Sequence, residues 1–301
     1  MIGGFEHFLG VGLALTAAGF FAIQYIFLRL GAVRGSVIDL ILVTLVTNVV
    51  IVWPLVGIVH GMPVLTIEAI LAFAGAGVMG SLLGRICMFK SVEIIGASRT
   101  APVVAANVFF ATIFAVLLFD ESLTALHVVG IVLVVGGVAV ISWESSRDAD
   151  PSASLGDFGV SIALPLLAAL FIGIEPIFIT LGLDAGGAVL PGVGIKVTAA
   201  LVGFVAYVAA SGQLTRYAFR WSRQMQYYLA AGVTSTFGII FLFAGLAMSP
   251  VVVVVPLLQT APLIVLLLSA IFLPRQLERV TWRLVAAATV VVIGAAIVSA
   301  H

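Results

Sequence analysis

Long apolar runs recur along the whole chain, and no other feature limits its fold so tightly. A helix crossing the hydrocarbon core of a bilayer needs about 20 mostly apolar residues. Inside lipid, each backbone N–H and C=O must be satisfied within its own segment, so each run is predicted to be helical. The runs fall at about 8–28, 37–59, 67–89, 97–118, 123–143, 158–183, 188–211, 225–247, 251–273 and 278–300, which predicts ten spans and an all-α membrane protein. Composition agrees. Only 9% of the 301 residues are charged and 63% are hydrophobic, whereas a soluble domain needs about 25% charged residues to solvate its surface. Net charge is zero, which gives no argument for a nucleic-acid partner. The single cysteine, Cys87, excludes an intramolecular disulfide. The first run follows Glu6 and His7 rather than a basic segment and is longer than a signal-peptide core, so it is expected to be a retained span.

The stretch 144–157, with Ser, Asp, Arg and Pro and almost without apolar residues, divides the chain into two sets of five spans, 1–143 and 158–301. Trp143, Trp221, Tyr227, Tyr228 and Trp282 fall at span ends, where interfacial aromatics gather. Sliding the second half over the first places Ser81, Gly84, Ile86, Phe89, Pro102 and Leu123 on Ser235, Gly238, Ile240, Phe243, Pro256 and Leu277, each 154 residues later. Two repeats of five spans, an odd number, must sit in the membrane with opposite orientations. The charges fit that expectation. Arg29 and Arg34 follow span 1, whereas the equivalent loop after span 6 has only Asp184. Arg216, Arg220 and Arg223 follow span 7, and the loop after span 2 has neither Lys nor Arg. Basic residues prefer the cytoplasmic side, so equivalent loops of opposite basic content imply an inverted-topology duplication.

The stretch from Phe89 through Lys90, Ser91 and Arg99 to Pro102, then Leu118-Phe-Asp-Glu-Ser-Leu-Thr124 and Gly130 to Gly137, resembles an EamA-type repeat. Such repeats define the drug/metabolite transporter superfamily, and the resemblance covers nearly the whole chain. It implies a secondary active transporter working by alternating access. Substrates of the family span amino acids, nucleosides, sugar phosphates, nucleotide sugars and drugs. Glu121 matches the family's acidic residue in the span 4–5 hairpin, whereas the second copy has Arg275 there. Pro262 matches a proline frequent late in this span; its counterpart is Val108.

Charged groups at membrane depth are costly and are functional candidates by default. Glu175 lies inside span 6 ahead of Pro176, which leaves the Ile172 carbonyl without its helical partner. Lys196 lies inside span 7. Both are equally far from the centre of the span 6–7 hairpin, and at 1.5 Å per residue they share a depth of about 15 Å. Antiparallel neighbours can therefore pair them. One reading is a static ion pair between two helices; the other, which the family resemblance favours because it implies a site at this depth between the repeats, is a substrate or proton site with Glu175 as coupling group. An offset of 151–152 places Gln24 against Glu175 and Thr44 against Lys196, with Asn48 nearby. These neutral groups would complete a pseudo-symmetric cavity or join helices by hydrogen bonds. Arg85 and Arg99, near span ends, either snorkel to the interface or bind an anionic substrate group through guanidinium geometry. Asn107 and Gln259 are lesser candidates.

Gly75-Ala-Gly77-Val-Met-Gly80 has the spacing of a dinucleotide-binding loop, but it lies inside an apolar span with no strand before it. Gly80 and Gly84 are better read as small residues that let helices approach. His7, His60, His127 and His301 are dispersed and form no metal cluster, and no pairing of nucleophile and base points to an enzyme. The sequence thus predicts a multi-pass plasma-membrane transporter of a small molecule, without cofactor, as monomer or homodimer. A flippase for a lipid-linked substrate in the same fold and a non-transporting receptor are the alternatives.

Arg216, Arg220 and Arg223 share one helical face beside Trp221 and are expected to form a short interfacial helix attracted to anionic headgroups. Ten of the thirteen Lys and Arg residues lie in or beside the loops after spans 1, 3, 5, 7 and 9. By the positive-inside rule those loops are cytoplasmic and both termini external. Alkaline phosphatase fused to the C-terminus is therefore expected to be active, and a cytoplasmic reporter fused there silent. The opposite pair of signals would reverse the topology.

Overall fold

Backbone that must satisfy its own hydrogen bonds in lipid has the helix as its available form, and every element of regular structure among the described residues is helical. The computed structural model describes residues 2–32, 37–61, 65–95, 100, 103–146, 158–212, 224–272 and 282–299. In chain order these give α1 (Ile2–Ala32), α2 (Val37–Val59) and α3 (Ile67–Ala76), the last continuing through a π-helical stretch (Gly77–Gly84) into α4 (Arg85–Ile95). Then follow α5 (Asn107–Phe119), α6 (Ala125–Ser146), α7 (Phe158–Asp184), α8 (Val189–Ala210) and α9 (Met225–Leu246). The chain ends with α10 (Val251–Leu258), α11 (Ala261–Phe272) and α12 (Trp282–Ser299). Arg99, Arg275, the basic cluster at 216–223 and most of the 144–157 stretch lie outside the described residues.

Six helical stretches among the described residues are long and apolar enough to cross a membrane: Glu6–Leu28, Ile38–Val59, Ile67–Met88, Ala163–Asp184, Val189–Ala210 and Met225–Leu246. Shorter apolar helices lie at Asn107–Phe119, Ala125–Val140, Val251–Val265 and Thr289–Val298. The outside of the bundle is apolar as well: Ile58 is 81% exposed, Trp282 77% and Leu71 66%. Exposed apolar area on that scale fits a lipid surround and not water.

Local sequence departs from a regular α-helix at two kinds of place. Gly77, Gly80 and Gly84 lie in the π-helical stretch, where low helix propensity meets close contact with neighbouring backbone. The second kind follows Pro256: Gln259 N donates to Pro256 O and Thr260 N to Leu257 O, both at 3.1 Å, interrupting the span between α10 and α11. A similar turn precedes α5, where Ala106 N donates to Val103 O at 3.1 Å. The two interruptions fall at 105–106 and 259–260, again 154 residues apart.

Packing repeats in the same way. α1 lies against α9, and α7 lies against α3, the π-helical stretch and α4. α2 packs on α9, and α8 on α3 and the π-helical stretch; α1 packs on α10 and α11, and α7 on α5. Gly84 abuts Ile172, and its counterpart Gly238 abuts Phe21, the residue 151 positions before Ile172. α6 and α12 cross antiparallel: Gly130 meets Val298, and Gly137 meets Val291 and Ala287. That crossing is built from glycines, which suits a medium offering helices no hydrophobic drive to associate. A Cβ on Gly130 would sit 2.8 Å from the Gly294 carbonyl, whereas one on Gly136 meets nothing within 4 Å. Gly130→Ala is expected to lower stability by about 1–3 kcal/mol through overpacking, and Gly136→Ala to be neutral or slightly stabilising. Melting of the two purified variants in detergent checks the contrast.

Candidate functional site

Glu175 of α7 and Lys196 of α8 form an ion pair in the interior of the bundle. The Lys196 side chain is 2% exposed and that of Glu175 15%, so the carboxylate is the more accessible end. Their similar depth follows from their places about the turn between Asp184 and Val189, ten residues before it and eight after it, and their contact follows from the antiparallel course of the two helices. Glycines make room for them. A side chain at Gly80 would occupy the place of the Glu175 carboxylate, and one at Gly77 would strike the Lys196 backbone carbonyl. The G-x-G-x-x-G spacing is therefore a packing device: it brings the π-helical stretch onto the ion pair. Gly75 and Gly84 extend the same face against Phe178 and Ile172.

The ammonium of Lys196 lies 5.7 Å from the centroid of the Phe243 ring in α9, within the range of a cation–π contact. Phe243 packs in turn on Phe73, with centroids 5.8 Å apart, and both rings are fully buried. Gly182, Gly187 and Gly192 close around Phe73. Residues from α3, the π-helical stretch, α7, α8 and α9 thus converge on one buried pair of charges. Chemically, such a centre can hold a zwitterion or an ion, or pass a proton. Among the described residues no cluster of His, Cys, Asp and Glu has the makings of a metal site.

A second polar centre joins α2 to α9. Asn48 is fully buried, and its amide nitrogen donates to Thr44 O at 3.0 Å and Gly232 O at 2.8 Å. This orientation holds because the reverse would turn the amide oxygen toward two carbonyls, which cannot donate. The Ser235 and Thr236 hydroxyls also donate to Gly232 O, at 3.0 and 2.8 Å. Thr44 gives its hydroxyl proton to Leu40 O at 2.7 Å, within its own helix. Gln24 is buried in α1, 6% exposed. Gln24 and Thr44 therefore do not form a neutral copy of the Glu175–Lys196 contact, although each stands at the equivalent sequence position. Arg85, at the start of α4, is half-buried, and Gln259 occupies the interruption after α10. Asn107 donates to Val104 O at 2.8 Å, within its own turn. Sequence reasoning missed Phe73 and Phe243 as neighbours of the pair. Phe243 carried one signal, its identity with Phe89 in the repeat frame; Phe73 carried none.

On the lipid side of the same helices, the Trp53 indole donates to Thr198 Oγ1 at 2.9 Å. The two residues line a shallow apolar groove with Val78, Ile195, Ala199 and Val202.

The chain matches the EamA-like transporter family over residues 8–143 and again over 158–300. A solved structure titled only "Crystal structure of protein" has the same fold, with a TM-score of 0.76 at 14% identity, over 96% of this chain and 95% of that one. The comparison with curated proteins gives no match.

The Asn48 centre generates a prediction separate from the ion pair. Asn48→Leu removes the amide that bonds Gly232 O across the α2–α9 contact, leaving that carbonyl the Ser235 and Thr236 hydroxyls of its own helix. Interhelical hydrogen bonds in membranes contribute about 0.6 kcal/mol on average and up to about 1.7. A fully buried, multiply bonded amide belongs at the upper end, so the variant is expected to lose about 1–2 kcal/mol. Equilibrium unfolding in mixed micelles measures it; an unchanged midpoint would show that water replaces the amide.

Proposed function

The chain belongs to the EamA-like transporter family, and from that premise we propose that it is a secondary active transporter moving small metabolites across the plasma membrane by alternating access. The observation that carries this reading is the buried Glu175–Lys196 ion pair. A charged pair at membrane depth is costly unless it is used or thoroughly matched. Here one end remains partly accessible, and the pair sits where helices from both halves of the chain meet. Gln24, Thr44, Asn48 and Arg85 are the further substrate or coupling candidates, all on the first half of the chain.

The architecture proposed with it is ten spans in two inverted repeats. Support comes from packing: each principal contact of one half has its counterpart in the other, and α6 and α12 cross antiparallel. These helices are equivalent elements of the repeats, and equivalent elements running in opposite directions are what inversion requires. A pseudo-two-fold arrangement lets the halves exchange conformations, opening the centre to each side in turn. The charge pattern of the loops supports external termini.

Glu175 is the proposed coupling group. Glu175→Gln keeps the shape of the side chain and removes its capacity to ionise. In proteoliposomes this variant is expected to lose pH-gradient-driven uptake while retaining solute exchange. A purely structural pair behaves otherwise. Glu175→Gln would leave Lys196 buried without its counter-charge, at a cost of about 3–5 kcal/mol, and adding Lys196→Met would restore folding and full transport together. Proton-driven uptake that persists in stable Glu175→Gln protein removes the coupling role.

A further inference from the structure

The hairpin between α5 and α6 carries an acidic residue that the ion-pair centre does not use. Glu121 reaches the start of α10: its Oε1 accepts from Val251 N and its Oε2 from Val252 N, each at 2.9 Å. Both carboxylate oxygens are thus spent on the first two amides of a helix that otherwise has no side-chain cap. Such bonds are charge-assisted, and the positive end of the helix dipole adds to them. The position of Glu121 is fixed from both sides. Before it, Asp120 closes α5 with φ 51°, a left-handed conformation that turns the chain sharply and that Asp tolerates. After it, Thr124 and His127 cap α6 reciprocally, with His127 N donating to Thr124 Oγ1 and Thr124 N to His127 Nδ1.

What Glu121 holds is an unusual piece of helix. α10 is eight residues long, about 12 Å; Val251 to Val255 and Leu257 are at most 5% exposed, and Pro256 is buried. It fills the space between α1, α5, α7 and α12. Its far end is the 3₁₀-type interruption at Gln259 and Thr260, where the helical bonding pattern is already broken. The same face of the bundle is tied by Ser249 Oγ donating to His7 O at 3.2 Å. A short buried plug, clamped at its outer end and jointed at its inner end, has the construction of a gate.

We propose that Glu121 is a positioning residue for transport: its carboxylate latches α10 in the closed position on the face carrying the start of α1. Opening that face withdraws the Val251 and Val252 amides from the carboxylate, and α10 turns about Gln259–Thr260. The proposal rests on the alternating-access reading above and adds a bias to it. In sequence, the position 154 residues after Glu121 holds Arg275, whose guanidinium has donors only and cannot accept from helix amides. Among the described residues the clamp is seen in one repeat, and on this proposal the unloaded protein rests with the α1-start face shut.

The test uses the full chain in proteoliposomes, with Cys87→Ser and a reporter, Val254→Cys, at a fully buried site of α10. A membrane-impermeant maleimide is added to the face carrying the start of α1. Glu121→Gln, which loses the charge and one acceptor, is expected to raise the labelling rate about tenfold, and Glu121→Asp, which keeps the carboxylate, to raise it less. A reporter at Ala200→Cys in α8 is expected not to gain. A lower melting temperature with unchanged Val254→Cys labelling below the transition makes Glu121 a cap only and overturns the proposal. Equal gains at both reporters mean general loosening and overturn it as well. Wild-type protein that moves no solute, beside a labelling gain confined to α10, retires the transport reading and leaves the latch supported.

Discussion

A pair of opposite charges inside a lipid-bathed bundle sets terms that the surrounding helices have to meet. Taking either ion out of water costs several kcal/mol, and their attraction offsets that only with close geometry and matched neighbours. The chain supplies the geometry through glycines. Gly80 leaves the Glu175 carboxylate its space, and Gly77 lets the π-helical stretch rest on the Lys196 backbone. The ring of Phe243 faces the ammonium, and Phe73, enclosed by three glycines of α7, α8 and the turn between them, supports that ring. Lipid gives helices no hydrophobic reason to associate, so close backbone approach and matched polar groups together decide which helices touch. The ion pair and the small residues around it are therefore one feature: without the glycines the charges would be too far from their neighbours, and without the charges this depth of burial would have no polar centre.

Much of this was legible in the sequence because the bilayer imposes lengths. Apolar runs of fixed length announce helices, and similar distances from a tight turn announce the pairing of Glu175 with Lys196. In the sequence Pro256 is legible only as the repeat partner of Pro102; that the helix is interrupted three residues later, at Gln259 and Thr260, the structure alone shows. The glycine spacing of span 3 signalled close packing. It could not name Glu175 as the partner, because nothing local relates residue 80 to residue 175. Phe243 was illegible as a neighbour of Lys196, being one of twenty phenylalanines in a chain where an aromatic ring signals nothing by itself. Gln24 and Thr44 show the opposite failure. They match Glu175 and Lys196 to within one residue of a common offset, but a neutral hydroxyl can satisfy itself on its own helix, and Thr44 does so on Leu40 O. A charge has no such local solution and must reach across.

That difference separates the two halves of the chain. Their packing is alike down to single contacts, as Gly84 on Ile172 and Gly238 on Phe21 illustrate, while their chemistry diverges. The second half contributes both ions, and the first contributes amides, hydroxyls and the glycine face. On the proposed alternating-access reading, alike packing lets two conformations of similar energy exist. Unlike chemistry lets those conformations bind differently, and an equilibrium moves only by the difference in affinity between its two states.

The ion pair and the α10 clamp are also joined covalently. Phe243, which faces Lys196, and Val251, whose amide rests on Glu121, are eight residues apart along one turn. That stretch closes α9 with the bonds Ala247 N to Phe243 O and Ser249 N to Gly245 O, at 2.9 Å each. A ligand that draws the ammonium away from the ring removes one of the contacts fixing Phe243, and a tightly hydrogen-bonded turn passes the resulting displacement on instead of absorbing it. On the proposed reading, the site and the gate are therefore coupled through a few bonded residues, with no need for a long relay. The neutral centre at Asn48 stands about three turns earlier on α9, bound to Gly232 O, and on the same reading holds the start of that helix while its end moves. On that reading α9 acts as a lever: its beginning is fixed by an uncharged amide that no ion or proton perturbs, and its end is poised on a charge that a ligand can claim.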